Sequence, residues 1–501
     1  MRACVLPVAT TLRTASRTVR HFAASACLPR DKNVAVVGGG AAGFYAAARL
    51  LAKTKNVNVD VFEQLPTPYG LVRFGVAPDH PEVKNCTTKF DQVSGSPRVR
   101  YFGNVQVGSQ QLGLDRLCSA YDGVVLSYGA SEDRRLGIPG EDGENGRVGV
   151  IPARRFVAWY NGLPEAQGLR VDLESYDKVV IVGHGNVALD CARILLTDPA
   201  DLATTDITAN ALETLRNSKV RHVEMVGRRG PLQVAFTTKE LREMTKIPDM
   251  DFICDRELVA AECSKWAEWL DASRSLKRMM DLLMKHTVGE GRRQKKSFTL
   301  SFLKSPVEVV YDQPGAEESA EAPPQRIRFE VNRLEGAVDA ARAVGTGAFV
   351  DIPCGMVLRS IGYVSTPLAG APFNKRRKII PNIAGRVTDD SGELVSGLYA
   401  AGWVKRGPVG VIATTMQDAY RTADAVIMDI SNGHIGNDSD TGRSRDAVDQ
   451  MLDSSGVLET CVTNAQWKRL DAHETEAGIK TGKSREKVTD IDRMLSIIRS
   501  E

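Results

Sequence analysis

Two stretches of the chain repeat one pattern, in which a short apolar run is followed by a glycine-rich turn, an amphipathic segment and a second apolar run. In the first stretch the apolar runs are 33–37 and 57–62, with glycines within 38–43 and a helical pattern over 44–53. Short apolar runs bounded by glycine predict buried strands. This stretch therefore predicts a strand–helix–strand unit of the dinucleotide-binding type.

The second stretch predicts the same unit again. Its apolar runs are 178–182 and 220–226, and its turn, 183–188, opens a helix that ends near residue 196. A later strand-to-helix signal runs from 397–403 into 410–419. We therefore expect an α/β fold with two Rossmann-like dinucleotide-binding domains, the second inserted into a discontinuous first domain.

The predicted first domain consists of 31–131 and 357–501, and the inserted domain of 132–356. Two polar insertions interrupt the second domain, 197–219 and 250–325. The later one ends in an acidic, proline-containing loop, for which a solvated hairpin connection is expected.

The first glycine turn has the full context of a nucleotide site. Gly38, Gly40 and Gly43 follow an apolar strand and open a helix, and Glu63 stands at the end of the next strand, twenty residues past Gly43. The glycines permit a tight turn, close approach of a pyrophosphate and helix–strand packing, while the helix N-terminus offers amide donors. Glu63 can accept the ribose hydroxyls.

The second turn differs at its ribose end. Gly183, Gly185 and Ala188 form the turn, and Arg228 and Arg229 follow the next strand where an acid would otherwise stand. Paired guanidinium groups bind a 2′-phosphate that a carboxylate would repel. One site with a carboxylate at the ribose position and one with two arginines there predict two different nucleotides. We expect a permanently bound flavin, FAD, and an NADP(H) that binds and dissociates, with hydride transfer between them.

The composition excludes several kinds of redox site and partner. The nine cysteines form no Cys-x-x-Cys pair and no cluster at metal-ligand spacing, which argues against a dithiol mechanism, a bound iron–sulfur cluster and a metal site. With 65 basic and 62 acidic residues, the chain gives no global case for binding nucleic acid. Its apolar runs are far shorter than the roughly 20 residues that span a bilayer.

The N-terminal segment 1–30 has the composition of a mitochondrial transit peptide. It contains five arginines, no acid and many Ser, Thr and Ala residues. A disordered basic tail without a targeting role is the alternative.

Three longer stretches of the sequence resemble those of a known protein family. The segment 68–84 (PYGLVRFGVAPDHPEVK), the segment 226–236 (VGRRGPLQVAF) and the segment 402–415 (GWVKRGPVGVIATT) resemble the adrenodoxin reductase family of NADPH:ferredoxin oxidoreductases. The similarity runs in order from about 32 to about 487. It implies hydride transfer from NADPH to FAD, and then single-electron transfer to a mitochondrial [2Fe-2S] ferredoxin that supplies haem monooxygenases or iron–sulfur and haem biosynthesis.

The resemblance also implies site residues. The implied FAD contacts are Ala42, Glu63, Leu71, Val107, Trp403, Gly410, Val411 and Ile412. The implied NADP contacts are His184, Gly185, Asn186, Val187, Arg228, Arg229, Glu240 and Gly410. His184 replaces a glutamine that is common in the family. His80 and Asp190 are implied near the flavin as catalytic residues, although a histidine in such a loop is often structural and a helical aspartate can be held by a buried partner.

An acidic ferredoxin would dock through Arg242, Arg274 and Arg278, the last two lying four residues apart on one helical face. Location in the mitochondrial matrix follows from the resemblance, with peripheral association with the inner membrane left open. Two alternatives remain at this stage: another flavoenzyme with two dinucleotide sites, such as a monooxygenase or a reductase subunit, and a non-catalytic NADPH sensor.

Overall fold

The computed structural model describes residues 30–143, 148–288, 294–311, 326–437 and 441–500. The proposed transit peptide, except Arg30, and the acidic loop within 312–325 lie outside these ranges. The strands are, in chain order, β1 (Lys32–Val37), β2 (Val57–Phe62), β3 (Val99–Phe102), β4 (Gly123–Leu126), β5 (Glu132–Asp133), β6 (Ile151–Pro152), β7 (Lys178–Val182), β8 (His222–Val226), β9 (Met250–Cys254), β10 (Lys296–Ser301), β11 (Lys304–Val310), β12 (Arg326–Glu335), β13 (Arg342–Pro353), β14 (Met356–Arg359), β15 (Tyr363–Val364), β16 (Asn382–Ile383), β17 (Arg386–Thr388) and β18 (Leu394–Ala400).

The α-helices pack on these strands. They are α1 (Ala41–Lys53), α2 (Leu71–Phe74), α3 (Cys86–Ser94), α4 (Leu114–Ala120), α5 (Ala153–Tyr160), α6 (Asn186–Leu196), α7 (Pro199–Leu202), α8 (Ala209–Arg216), α9 (Thr238–Met244), α10 (Arg256–Lys265), α11 (Ala267–Asp271), α12 (Arg274–His286), α13 (Trp403–Arg406), α14 (Ile412–Ser431), α15 (Arg445–Ser454), α16 (Val457–Thr460), α17 (Asn464–Lys480) and α18 (Ile491–Arg499).

The first sheet takes strands from both ends of the chain. Its order is β16-β17-β18-β4-β1-β2-β3, and the five strands from β18 to β3 are parallel. On β1, Val34 and Val36 enter one apolar core while Ala35 and Val37 enter another on the opposite face. Burial on both faces explains the continuous apolar run in the sequence. We call the part of the chain built around this sheet the first unit.

The second sheet is formed by the intervening chain. Its order, β6-β14-β7-β8-β10-β9, is parallel throughout. A three-stranded antiparallel sheet, β11-β12-β13, shares a core with one of its faces. The inserted, doubly Rossmann-like fold is thus confirmed, and we call this part the second unit. Strand β14 spans the boundary predicted between 356 and 357, so the second sheet ends at Arg359 rather than at 356.

Most predicted elements agree with the structure, with small differences at their ends. The strand predicted from 220 begins at His222, because the backbone amides of Arg221 and His222 bond to the carbonyl of Asp177 before pairing starts. The insertion 197–219 contains α7 and α8, whose first turns are capped by Asp198 and Thr208.

Partly buried ion pairs join the two units. Asp206, in the insertion of the second unit, contacts Nζ of Lys84 at 2.7 Å and Nζ of Lys487 at 3.0 Å, and both lysines belong to the first unit. Burial by itself would raise the pKa of Asp206, but the two lysine charges outweigh it and hold that pKa below its usual value. Because an unpaired buried charge is costly, these contacts restrict how the units can move apart.

Candidate functional site

The first glycine turn leaves an open space before an uncapped helix. Gly38 has φ +107°, and a Cβ there would lie 2.7 Å from the backbone of Tyr128, whereas a Cβ on Gly40 would meet nothing within 4 Å. Helix α1 begins after Gly40 without a side-chain cap. Its first amide groups therefore remain available to an anion that occupies the space beside Gly40.

Glu63 is held beside this turn. Its carboxylate is buried and accepts hydrogen bonds from the backbone amides of Gly39, at 2.8 Å, and Leu65, at 3.1 Å. Burial raises the pKa of Glu63, and the amide bonds oppose that rise. The carboxylate is thus fixed in position at the end of β2, where a ribose would reach it.

The segment after β2 covers the same turn. The backbone amide of Tyr69 donates to the carbonyl of Gly39, at 2.8 Å, and a Cβ on Gly70 would lie 3.3 Å from Cα of Gly40. Leu71 follows with 37% of its surface exposed. Val107, another residue implied to contact FAD, is buried in the core that lines the first sheet.

The second turn repeats this geometry. Gly183 has φ +126°, and a Cβ there would lie 2.2 Å from the carbonyl oxygen of Ser360, while a Cβ on Gly185 would meet nothing within 4 Å. Helix α6 also begins without a side-chain cap. The side chain of Asn186 accepts from the amide of Thr237, at 2.8 Å, and so ties the turn to the start of α9.

His184 turns its ring inward rather than toward the open space. Its Nε2 lies 3.3 Å from the carbonyl of Met225, and its ring meets that of Phe302 edge to face at 5.3 Å. A Cβ on Gly227 would lie 2.3 Å from His184 Nδ1, so glycine makes room for the ring. Burial lowers the pKa of His184 to about 4, which leaves the imidazole neutral near pH 7.

Arg228 and Arg229 follow the strand β8 after one residue, Gly227. In the ranges that the structure describes, neither guanidinium lies within 4.0 Å of a carboxylate, and the side chain of Arg228 is exposed. Their backbone carbonyls accept bonds from Asn332 Nδ2, at 2.9 Å, and from the amide of Leu303, at 3.1 Å. The second turn therefore presents two unneutralised cations at the position where the first presents Glu63.

The predicted strand-to-helix segment, 397–419, lies against the helix that follows the first glycine turn. A Cβ on Gly402, at φ +73°, would lie 2.6 Å from Cβ of Ala42 in α1. The ring of Trp403 packs against that of Tyr363, with centroids 5.3 Å apart. Helix α14 starts without a side-chain cap, and Val411, just before it, is 52% exposed.

The predicted residues His80 and Asp190 lie in one polar cluster at the junction of the units. Nε2 of His80 lies 2.6 Å from Glu243, and its Nδ1 lies 3.9 Å from Glu240. Arg193, on α6, is 5% exposed and links the acids. It contacts Asp79 at 2.5 Å, Asp190 at 2.8 Å and Glu240 at 3.7 Å.

Sequence reasoning missed three members of this cluster, Asp79, Arg193 and Glu243. Arg193 had a readable signal, since it follows Asp190 by three residues on the same helix and such pairs meet. His80, Glu240 and Glu243 each offer a ligand atom within 4.8 Å of the others. Arg193 and Lys239, whose Nζ lies 3.8 Å from Glu243, already contact those carboxylates, so we assign no metal there.

Comparison with known proteins identifies the family. A profile of the pyridine nucleotide-disulphide oxidoreductase family matches residues 32–247. The mitochondrial NADPH:adrenodoxin oxidoreductase of Homo sapiens is 46% identical over 487 residues, which cover 95% of this chain and 94% of the human protein. The chain belongs to the NADPH:adrenodoxin oxidoreductase family.

Other relatives of the family agree with this assignment. The Arabidopsis thaliana protein of the same name is 39% identical and covers 95% of this chain and 97% of its own length. The solved structure of Mycobacterium tuberculosis FprA in complex with NADPH superposes with a TM-score of 0.84 at 37% identity, over 94% of this chain and 100% of that one. Over the described ranges, we find no helix with the length and apolar character needed to cross a membrane.

The three arginines that the resemblance implies for docking are exposed on two helices. Arg242 lies on α9, and Arg274 and Arg278 lie on α12. The two helices share one core, and Thr238 Oγ1 donates to the carbonyl of Ser275 across them. These cations therefore belong to a single exposed region of the second unit.

The junction cluster contains acids that hold protons unusually tightly. Burial raises the pKa of Asp190 despite the charge of Arg193. Burial, followed by the charge of Asp190, raises the pKa of Glu240 to about 7. Burial alone would also raise the pKa of Asp79, but its hydrogen bond to Arg193 keeps it below the usual value. The cluster therefore changes charge near neutral pH.

This raised pKa predicts a pH-dependent stability difference for Glu240→Gln. The pKa of a glutamate in the unfolded chain is about 4.3, whereas the pKa of Glu240 in the folded protein is about 7. Between these two pH values the folded state therefore binds the proton more tightly than the unfolded state does. The resulting stability is fully present below a pH of about 4.3 and is lost as the pH rises through about 7. Thermal unfolding midpoints of Glu240→Gln, measured from about pH 5 to about pH 8, should rise relative to wild type as the pH increases.

The matched control is Glu257→Gln, which changes an exposed glutamate on α10. Its midpoint should keep a constant offset from wild type over the same pH range. A constant offset for Glu240→Gln as well would contradict the raised pKa.

Proposed function

We propose that the chain is a mitochondrial, FAD-dependent NADPH:ferredoxin oxidoreductase. The observation that carries this function is a difference between two similar glycine turns. The strand after each turn is followed by side chains of opposite charge, at the position where a ribose would lie. Glu63 is a buried, positioned carboxylate, whereas Arg228 and Arg229 are unneutralised cations. A carboxylate suits ribose hydroxyls and a guanidinium pair suits a 2′-phosphate, so one chain holds both FAD and NADPH.

FAD fits the first unit. The open space beside Gly40 and the free amides of α1 suit its pyrophosphate, and Glu63 suits its ribose. We assign further contacts to Ala42, Leu71, Val107, Trp403, Gly410, Val411 and Ile412. When bound, FAD accepts a hydride and gives up electrons one at a time, which links a two-electron donor to a one-electron acceptor.

NADPH fits the second unit. Gly185, Asn186 and Val187 stand at the uncapped start of α6, where backbone amides can hold a pyrophosphate. Because the His184 ring is turned inward, we assign its contribution to its backbone. We divide the chain into an FAD-binding domain and an NADPH-binding domain at the predicted boundaries, 31–131 with 357–501 and 132–356, except that 357–359 join the NADPH-binding domain because β14 ends at Arg359.

We assign the junction cluster the task of aligning the two cofactors. His80 and Asp79 come from the FAD-binding domain and contact Glu243 and Arg193 of the NADPH-binding domain, so these contacts fix one domain against the other. Asp190 holds Arg193 from the same helix. Alignment of reacting atoms is the main contribution a protein makes to hydride transfer.

We infer that the electron acceptor is a [2Fe-2S] ferredoxin. The names of the human and Arabidopsis relatives specify adrenodoxin, which supports a ferredoxin as the acceptor. We propose that its acidic surface docks on Arg242, Arg274 and Arg278. The mitochondrial names of these relatives and the arginine-rich composition of 1–30 support a mitochondrial location. Peripheral association with the inner membrane stays a prediction.

The first test replaces both arginines of the nucleotide site, as Arg228→Ala with Arg229→Ala. Loss of two charge-assisted contacts to a 2′-phosphate should raise the KM for NADPH about a hundredfold and leave that for NADH nearly unchanged. Ferricyanide reduction measures both constants without a ferredoxin. Arg116→Ala, an exposed arginine on α4, serves as the control. Equal increases for the two nucleotides would argue against a role in phosphate recognition.

The second test measures NADPH-driven reduction of cytochrome c with and without a mitochondrial [2Fe-2S] ferredoxin. The combined variant Arg242→Glu, Arg274→Glu and Arg278→Glu should lose most of the ferredoxin-dependent rate, since three cations on the docking region become anions. Its ferricyanide reduction should match wild type. Ferredoxin-independent activity in the wild type would refute the proposed acceptor, and an unaffected variant would refute this docking region.

A further inference from the structure

A turn in the FAD-binding domain carries the only run of four consecutive cations in the sequence, 375–378 (Lys-Arg-Arg-Lys). All four residues are exposed. Within the part of the chain that the structure describes, none of them lies within 4.0 Å of a carboxylate. The turn therefore presents four uncompensated charges to solvent, and neither nucleotide site uses them.

The backbone of this turn is held by its own hydrogen bonds. The amides of Asn374 and Lys378 donate to the carbonyls of Ile379, at 2.9 Å, and Asn374, at 2.7 Å. The amide of Arg377 donates to Oδ1 of Asn374, also at 2.9 Å. Ile379 and Ile380, which follow, are buried. The charges are thus displayed from a fixed position.

That position adjoins the segment assigned to the flavin. The amide of Ile380 donates to the carbonyl of Val404, at 2.8 Å, and Nδ2 of Asn382 donates to that of Lys405, at 3.2 Å. Val404 and Lys405 follow Trp403 in α13. The basic turn is therefore followed closely along the chain by a segment that is hydrogen-bonded to α13.

We propose that the basic turn, 375–378, is a second docking surface for the acidic [2Fe-2S] ferredoxin. This inference rests on the proposed function. The arginines of α9 and α12 would attract the ferredoxin to the NADPH-binding domain, but electrons leave from the flavin in the other domain. A second set of cations beside α13 holds the acceptor near that exit and restricts its rotation.

The test is the double variant Arg376→Glu with Arg377→Glu, assayed by ferredoxin-dependent cytochrome c reduction. At low ionic strength the KM for ferredoxin should rise about tenfold, and the increase should disappear in high salt, where exposed charges are screened. Ferricyanide reduction and flavin content should match wild type, which confirms folding. The control, Lys53→Glu with Lys55→Glu, makes the same charge change on exposed residues near the end of α1 and should leave the KM unchanged.

A KM equal to that of the control, in a wild type that does depend on ferredoxin, would overturn the second docking surface and leave the proposed function standing. A wild type that reduces cytochrome c equally well without ferredoxin would overturn both. Sedimentation with cardiolipin-containing vesicles distinguishes the other anionic partner. Loss of vesicle binding in the double variant, with an unchanged KM for ferredoxin, would assign the turn to a membrane surface instead.

Discussion

Buried charges at the junction of the two units constrain the whole arrangement. Arg193 is held among Asp79, Asp190 and Glu240, and Asp206 is held between Lys84 and Lys487. In both groups, one side of the contact comes from each unit. Because separating a buried ion pair leaves unpaired charges away from water, these contacts limit the relative positions that the units can adopt. A hydride moves only between atoms in near contact, so that restriction is what two nucleotide sites on separate sheets require.

The two glycine turns, 38–43 and 183–188, are similar in structure but differ in the charge of the side chains near them. Both have an open space beside their second glycine and both precede an uncapped helix, which is an arrangement that suits a pyrophosphate. They differ in what stands after the following strand. Glu63 is buried and hydrogen-bonded, while Arg228 and Arg229 lack a carboxylate partner among the described residues. We therefore propose that a few side chains on similar backbones determine which nucleotide each turn binds.

The sequence was sufficient for features set by local sterics, namely the two turns, their strands and helices, and the discontinuous first unit. Gly38 and Gly43 can be recognised because the backbone permits no side chain there. The junction cluster was only partly foreseen, since Asp79 and Arg193 are 114 positions apart and no local pattern joins them. The inward ring of His184 was also not foreseen, because it depends on Gly227 and Phe302 in later strands and loops.

The most direct measurement is an anaerobic titration of the purified protein with NADPH, followed at the flavin absorption band. About one equivalent of NADPH per FAD should bleach the band, and about two equivalents of oxidised [2Fe-2S] ferredoxin should restore it, since each accepts a single electron. NADH at the same concentration should bleach it far more slowly, because it lacks the phosphate that we assign to Arg228 and Arg229. A protein without flavin, a band unchanged by NADPH or equal bleaching by both nucleotides would contradict the assignment of the two sites.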